Sequence, residues 1–313
     1  MSAETIARAA AVLGDRARRD VPLGPFTTYG VGGPAALLLE NCGPDDLALA
    51  REAVAASGVP VLIIGRGSNL LVADRGFPGL ALTLGEDFAA IHREDEETLV
   101  RAGGGLSLPV LARRTAALGL RGLEWAVGVP GTVGGGVRMN AGGHGSDVAA
   151  TLVRVWLFDL AGGGGGGAVE VPVADLDLGY RRSAVGPAQV VVAAEFSLTR
   201  GDRAEAEAEI AAVVRWRREH QPGGSNAGSV FANPPGDSAG RLIEAAGLRG
   251  HRRASASVSP KHANFFQVDA GGSADDVRAL IEEVQTTVKS RFGVELTLEN
   301  RLVGFDVSTS SGG

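Results

Sequence analysis

Apolar positions along this chain follow two periods, and the switches between them mark out its elements. Asp45–Ser57 carries Leu47, Ala50 and Val54 at helical spacing and stops at Gly58. The run Val59-Pro60-Val61-Leu62-Ile63-Ile64 that follows is too short for a helix and predicts a buried strand, so the opening reads strand, helix, strand. Between Ala89 and Ala102 two short extended runs flank Arg93-Glu94-Asp95-Glu96, and a helix over Leu106–Leu118 ends at Gly119. Thr151–Phe158 and Ala168–Val171 read as paired strands, with the glycine run Gly162–Gly167 as a flexible hairpin tip that lacks the polar anchors of a phosphate site.

Asp202 is placed to cap a charged helix with Ile210, Val213 and Val214 on one side. A second helix begins at Ser273 and lines up Val277, Leu280, Ile281, Val284 and Val288 as one apolar stripe, closed by Gly293. That stripe reads as core. Glu299 sits between strand-like Leu296-Thr297-Leu298 and Leu302-Val303. These patterns predict an α+β chain in three parts, 1–84, 85–200 and 201–305, with 306–313 as a disordered tail.

Composition narrows the class without choosing a function. A chain of 313 residues with 44% hydrophobic and 21% charged positions can bury a sizeable core. Its net charge of −6 argues against a general nucleic-acid surface. The single cysteine, Cys42, excludes an internal disulfide and a cysteine-based metal cluster, and the five histidines show no ligand spacing, so no metal is expected. No basic, apolar leader opens the chain and no apolar run approaches membrane-spanning length; a cytoplasmic protein is expected, as a monomer.

Chemistry concentrates in two glycine segments. One is Gly128-Val129-Pro130-Gly131-Thr132-Val133-Gly134-Gly135, running on to Ala141, Gly142 and Gly145; the other is Gly65-Arg66-Gly67-Ser68-Asn69, directly after the apolar strand. Glycine at this density lets backbone N–H groups approach an anion closely, so the pair reads as two halves of a diphosphate cradle. Two ordinary glycine turns would look the same in sequence. A Rossmann fingerprint is excluded, because Gly65-Arg66-Gly67 leads into extended Leu70-Leu71-Val72 rather than a long helix.

Several further blocks share a known order: Thr27-Thr28-Tyr29-Gly30-Val31-Gly32-Gly33-Pro34-Ala35, then Leu178-Gly179-Tyr180-Arg181-Arg182-Ser183 and Asn226-Ala227-Gly228-Ser229-Val230-Phe231-Ala232-Asn233-Pro234. Ala239–Gly250, Lys261-His262-Ala263-Asn264-Phe265 and Gly293–Gly304 complete the series. With both glycine segments, they cover most of residues 23–304. In this order they resemble the UDP-N-acetylenolpyruvoylglucosamine reductase family, in its shorter form, within the PCMH-type fold of the vanillyl-alcohol oxidase group. The resemblance implies a two-lobed FAD-binding domain (1–84 and 85–200) and a smaller α+β substrate-binding domain (201–305). It implies non-covalent FAD, NADPH as co-substrate and a UDP-sugar enolpyruvyl ether as substrate.

The family reaction reduces a carbon–carbon double bond conjugated to a carboxylate, and the resemblance assigns its roles residue by residue. Arg181 would grip the carboxylate as charge develops, since a guanidinium offers two parallel hydrogen bonds that a lysine cannot. Ser229, in a tight Ala-Gly-Ser turn, would donate the proton, and Glu299 would hydrogen-bond the enolate. Cofactor contacts are expected from Tyr29, Gly65, Arg66, Gly67, Ser68, Asn69, Gly128, Val129, Pro130, Gly131, Thr132, Gly134, Gly135, Ala141, Gly142 and Gly145. Tyr180, His220, Asn233 and His262 are expected at the substrate. Two departures stand out: His144 replaces the usual aromatic residue of its stretch, and Thr297 occupies a position often acidic. Two other readings stay open at this stage. A flavin oxidase of the same fold acting on an alcohol or hydroxy acid would need no Arg181, Ser229 or Glu299 block, and a non-catalytic nucleotide-binding regulator would be expected to lose one of the three.

Overall fold

The computed structural model describes residues 2–93, 97–162 and 166–306. Its contacts divide the chain into two units. The first comprises Met1–Arg19, Leu37–Arg66 and Gly79–His220, the second Asp20–Ala36, Gly67–Pro78 and Gln221–Gly313. This division departs from the three consecutive parts expected from the sequence, and the reason is packing. Ala206, Ile210 and Val213 of the helix after Asp202 are buried among Leu111, Trp125 and Phe196, so that helix goes with the first unit. Tyr29, Val31 and Leu71 are buried with C-terminal residues instead.

In the first unit, α1 (Ala3–Leu13) and α2 (Pro44–Ser57) share one apolar cluster with Leu80, Leu82 and Val190. Gly58 ends α2 with φ +68°, as expected. The face differs slightly from the sequence reading: Ala53, not Val54, is the fully buried residue beside Leu47 and Ala50. The predicted strand runs over Val61–Ile64 and pairs in parallel with the strand Phe77–Leu84, Val61 opposite Leu80. Only Leu62 and Ile64 are fully buried, so one face of this strand packs more tightly than the other.

A five-stranded sheet follows, in the order Val169–Pro172, Leu152–Asp159, Gln189–Ser197, Leu99–Gly103 and Ile91–His92. The expected pairing of the strands around the glycine run is present and antiparallel, Val155 opposite Val171. The centre of that glycine run, residues 163–165, and Glu94–Glu96 lie outside the described residues, as does the expected tail from residue 307 onward. Helix α3 (Leu108–Ala117), the short α4 (Val133–Arg138) and α5 (Arg203–His220) complete the unit. Asp202 does cap α5, its carboxylate accepting the Glu205 N–H at 2.9 Å.

In the second unit, α6 (Ala239–Ala245) and α7 (Ala274–Phe292) pack with a three-stranded sheet of Arg252–Arg253, Ala256–Val258 and Phe266–Val268. The α7 stripe is fully buried, Ser273 caps it and Gly293 ends it, as its pattern demands. Each such side chain contributes about 1.5–3 kcal/mol on burial. Leu70–Val72 pairs in parallel with Arg301–Val303. The segment before Glu299 is not a strand; only Leu298 makes an isolated bridge, to Phe231. Among the described residues no helix is long and apolar enough to cross a membrane.

Candidate active site

Within the first unit the two glycine segments meet. A β-carbon on Gly65 would lie 2.6 Å from the Thr132 Oγ1, so only glycine allows this approach. The longer segment does not, however, offer the row of open N–H groups that its glycine content suggests. Gly131 donates to the Val129 carbonyl, Val133 to Leu106, Gly134 to Gly104 and Gly136 to Thr132, each at 2.8 Å. Thr132 Oγ1 takes the Gly135 N–H at 3.2 Å. Glycine is needed here for closeness: a β-carbon on Gly134 would sit 3.1 Å from the Gly104 and Val191 carbonyl oxygens. Upstream, the Gly128 carbonyl accepts a hydrogen bond from the Arg217 guanidinium. Val129 is half-buried against the core and Pro130 is exposed.

Past α4 the chain turns back on itself, Gly142–Gly143 pairing with Ser146–Asp147. His144 and Gly145 form the two-residue loop with φ +53° and +85°, the paired left-handed geometry of a hairpin turn that favours Asn-Gly. His144 is therefore a costly choice for its position. Its ring meets Trp216 edge-on, with centroids 5.1 Å apart, and Trp216 stacks on His220. Burial, with the nearby Arg217 charge, holds the His144 imidazole below its usual range. Ala141 N–H is bonded to the Gly136 carbonyl, and Ala141 is half-buried against the core.

Arg181 stands at the tip of a second tight turn. Gly179 and Arg182 exchange backbone hydrogen bonds across it, leaving Tyr180 and Arg181 at the apex. Arg181 has φ +57°, a left-handed conformation costing roughly 1–2 kcal/mol for a residue with a β-carbon. Its guanidinium lies 5.0 Å from the Tyr180 ring and donates to the Gly142 carbonyl at 3.2 Å. Tyr180 itself is exposed. The turn is anchored from beneath by buried Asn140, which donates to the Gly179 carbonyl and to Asp147 and accepts the Ala149 N–H.

Ser229 and Glu299 both belong to the second unit, where the backbone brings them together. The Val230 carbonyl accepts the Glu299 N–H at 2.8 Å and the Asn300 N–H at 3.4 Å. Gly228, at φ +74°, turns the chain immediately before Ser229, as the Ala-Gly-Ser pattern suggested. On the other side Ser229 bridges to Phe265, and Asn264 ties down both Phe231 backbone groups with its side-chain amide. The second half of the expected cradle joins the same junction. Gly67 admits no β-carbon, since one would fall 2.0 Å from the Phe26 carbonyl oxygen, and its φ is +59°. Asn69 turns its amide to the Glu299 carbonyl and to Asn300. Beside Gly67, the Thr28 hydroxyl is buried with no hydrogen-bond partner among the described residues, although the Thr28 N–H reaches the Gly67 carbonyl. Nothing in its block singles out Thr28 before the fold is known.

Other expected residues turn out to be engaged in structure. Tyr29 is only 1% exposed and donates its hydroxyl to Asn300, so its ring belongs to the core. Asn233 accepts the Ala239 N–H at the start of α6. His262 Nδ1 accepts the Asn264 N–H at 3.2 Å, and burial lowers its affinity for a proton. A neutral ring used as an acceptor is poorly suited to holding a phosphate. His220, exposed at the end of α5, bonds the Trp216 carbonyl through Nδ1. Arg66 is exposed; Ser68 is half-buried.

Comparison with known proteins covers nearly the whole chain. Residues 220–303 match the model of the UDP-N-acetylenolpyruvoylglucosamine reductase C-terminal domain, and residues 42–163 match that of an FAD binding domain. The C-terminal match starts where the contacts divide, at His220. The UDP-N-acetylenolpyruvoylglucosamine reductase of Chloroflexus aggregans is 40% identical over 91% of this chain and 97% of its own. That of Rubrobacter xylanophilus is 42% identical over 92% and 95%. The crystal structure of the Thermus caldophilus enzyme of the same description has 35% identity and a TM-score of 0.77, covering 92% of this chain and 99% of that one.

Proposed function

We propose that this chain, which belongs to the UDP-N-acetylenolpyruvoylglucosamine reductase family, reduces UDP-N-acetylglucosamine enolpyruvate to UDP-N-acetylmuramate, a peptidoglycan precursor, with electrons from NADPH through non-covalent FAD. The fold is the α+β, PCMH-type one expected, with the FAD-binding domain followed by the reductase C-terminal domain. The residues present fit the cofactor: Gly65 leaves no room for a side chain against Thr132, and Thr28 keeps a buried hydroxyl available next to Gly67. Gly65 to Asn69, Thr28 and the Gly128–Gly135 segment are the groups proposed to hold it. Bound, FAD supplies the hydride that reaches the terminal vinyl carbon.

The chain's own groups manage charge and proton. Arg181, raised on its turn, grips the substrate carboxylate more strongly as enolate charge builds. Ser229 donates the proton to the other alkene carbon, and Glu299 hydrogen-bonds the enolate. The observation that carries this assignment is the shared Val230 carbonyl, which fixes the Ser229 and Glu299 segments to each other. The neighbourhood of Tyr180 and His220 remains the proposal for the sugar nucleotide. The net charge of −6 supports a protein that binds no nucleic acid; a cytoplasmic location and a monomeric state complete the proposal, the latter checked by size-exclusion and scattering.

Ser229→Ala tests the chemistry. Flavin reduction by NADPH should stay near the wild-type rate, because that step uses no substrate proton, while reoxidation by the enolpyruvyl substrate should fall by about 10²–10⁴-fold. Equal slowing of both half-reactions in stopped-flow absorbance would leave Ser229 as a residue that only shapes the pocket.

A further inference from the structure

Behind Ser229 and Glu299 lies a buried polar hub that the reaction does not use directly. Asn300 is 4% exposed and Tyr29 1%. The Asn300 Nδ2 faces three acceptors, the Ser229 carbonyl at 3.2 Å, the Ala227 carbonyl at 3.1 Å and the Asn69 Oδ1 at 3.1 Å. With two hydrogens for three acceptors, one is shared. The Asn300 Oδ1 takes the Tyr29 hydroxyl at 3.2 Å. Asn69 in turn donates to the Glu299 carbonyl at 3.1 Å and accepts the Arg301 N–H through its own carbonyl at 2.8 Å.

We infer that Asn300 is a positioning residue for proton transfer: its side-chain amide, oriented by Tyr29 and braced by Asn69, sets where the Ser229 backbone stands relative to Glu299. Three observations support this. One side chain bonds the Ser229 carbonyl while its own backbone follows Glu299 directly, so both partners are fixed through a single residue. The surrounding cluster is apolar, with Val31, Leu71, Val230 and Phe231, so the Ser229 and Ala227 carbonyls meet the Asn300 amide in a setting that makes losing it costly. An aliphatic residue at 300 would leave those buried acceptors without the amide, so the backbone carrying Ser229 would shift to regain a partner. Finally, a serine hydroxyl reaches only a short way beyond its Cα. It cannot correct a backbone displacement by changing rotamer, and displacement of about 1 Å costs on the order of a hundredfold in rate.

The inference rests on the proposed role of Ser229, and its test separates the two. In FAD-loaded protein, Asn300→Ala should slow substrate-driven flavin reoxidation by about a hundredfold, and Tyr29→Phe, which removes one oxygen and keeps the ring, by roughly three- to tenfold. Both should leave flavin reduction by NADPH within about twofold of wild type. Each change, introduced into Ser229→Ala, should slow reoxidation no further, because the hub acts only through the residue already lost. Amide exchange over 227–231 and 298–301 should quicken in Tyr29→Phe. If Asn300→Ala does not fold, Tyr29→Phe decides by the same measures. Unchanged reoxidation in Tyr29→Phe beside a collapsed rate in Ser229→Ala overturns the inference, as does an equal additional loss in the Ser229→Ala background. An unaffected rate in Ser229→Ala itself overturns the role of Ser229, and the positioning role falls with it.

Discussion

The turn that carries Arg181 and the junction that carries Ser229 and Glu299 are built on opposite plans. Arg181 projects from an apex with a left-handed backbone, beside exposed Tyr180; buried Asn140 holds the Gly179 carbonyl of that turn, and the guanidinium itself reaches back to the Gly142 carbonyl. Ser229 and Glu299 are held where three stretches of backbone converge, stitched by the amides of Asn69, Asn264 and Asn300. The contrast follows from reach. A guanidinium on a long, flexible stem finds a carboxylate bidentately over a range of backbone positions, whereas a serine must be delivered by its backbone. On the proposed assignment, the Arg181 side chain carries most of the function at the turn, whereas at the junction the supports of Ser229 share it.

Breaking the junction should therefore have the largest effect. Gly67→Ala places a β-carbon 2.0 Å from the Phe26 carbonyl oxygen at a φ of +59°. The expected cost is about 4 kcal/mol, seen as a large drop in melting temperature and colourless protein. Gly143→Ala is the matching control near the Arg181 side, since its β-carbon would meet nothing within 4 Å. It should change stability by no more than about 0.5 kcal/mol. Comparable losses in the two variants would end the contrast.

Arg181→Lys should come next, and should affect rate alone. Loss of the planar two-bond grip removes roughly 3 kcal/mol of transition-state stabilisation, about a hundredfold in turnover, with melting temperature unchanged. A near-normal rate would remove Arg181 from the chemistry. Asn140→Ala sharpens the same point from beneath. It leaves the Gly179 carbonyl and the Ala149 N–H without their buried partner, at a cost of about 2 kcal/mol in denaturant unfolding. Turnover should fall far less than in Arg181→Lys. If it falls equally, the turn is as strictly positioned as the junction.

Much of this was legible in sequence where the signal is local. Helix α7 shows its buried stripe, its Ser273 cap and its Gly293 stop, and α2 its Gly58 stop, because period and caps act over a few residues. The blocks holding Arg181, Ser229 and Glu299 were equally visible. What tertiary packing decides was not. Helix α5 reads correctly as a helix from Asp202, but nothing in it says that Ile210 and Val213 would bury against Leu111 rather than in the C-terminal core. The glycine segment after Gly128 reads as open N–H groups, yet those groups pair with carbonyls at Leu106 and Gly104. Tyr29 and Asn69 were expected at the cofactor and Asn300 in no role; far separated in the chain, they become one network only in the fold.

The smallest expected effect concerns acid, and it too should single out the junction. The turn before Phe265 supports Asn264, and within it His262 Nδ1 must stay unprotonated to accept the Asn264 N–H. Burial, the largest cause, and the charge of Arg249 lower the His262 affinity for a proton below that of an exposed histidine, against a smaller backbone hydrogen-bond effect in the other direction. The unfolded chain thus takes up a proton at His262 first, as pH falls through about 6.5. With the unfolded state binding more protons, stability declines from that point downward and levels off only once pH has passed below the folded-state value. Above about 6.5 the ring is neutral in both states and the effect vanishes. Melting curves taken from pH 8 to pH 5 on wild type and on His262→Gln, whose side-chain oxygen can accept a hydrogen bond but takes no proton in this range, should converge in slope at the alkaline end and separate toward acid, wild type falling more steeply. Amide exchange at Phe231 should quicken in wild type over the same interval while the Gly179–Arg182 turn stays unchanged. Parallel curves at every pH would mean that His262 titrates no differently in the folded protein, and acid would then not distinguish the two regions.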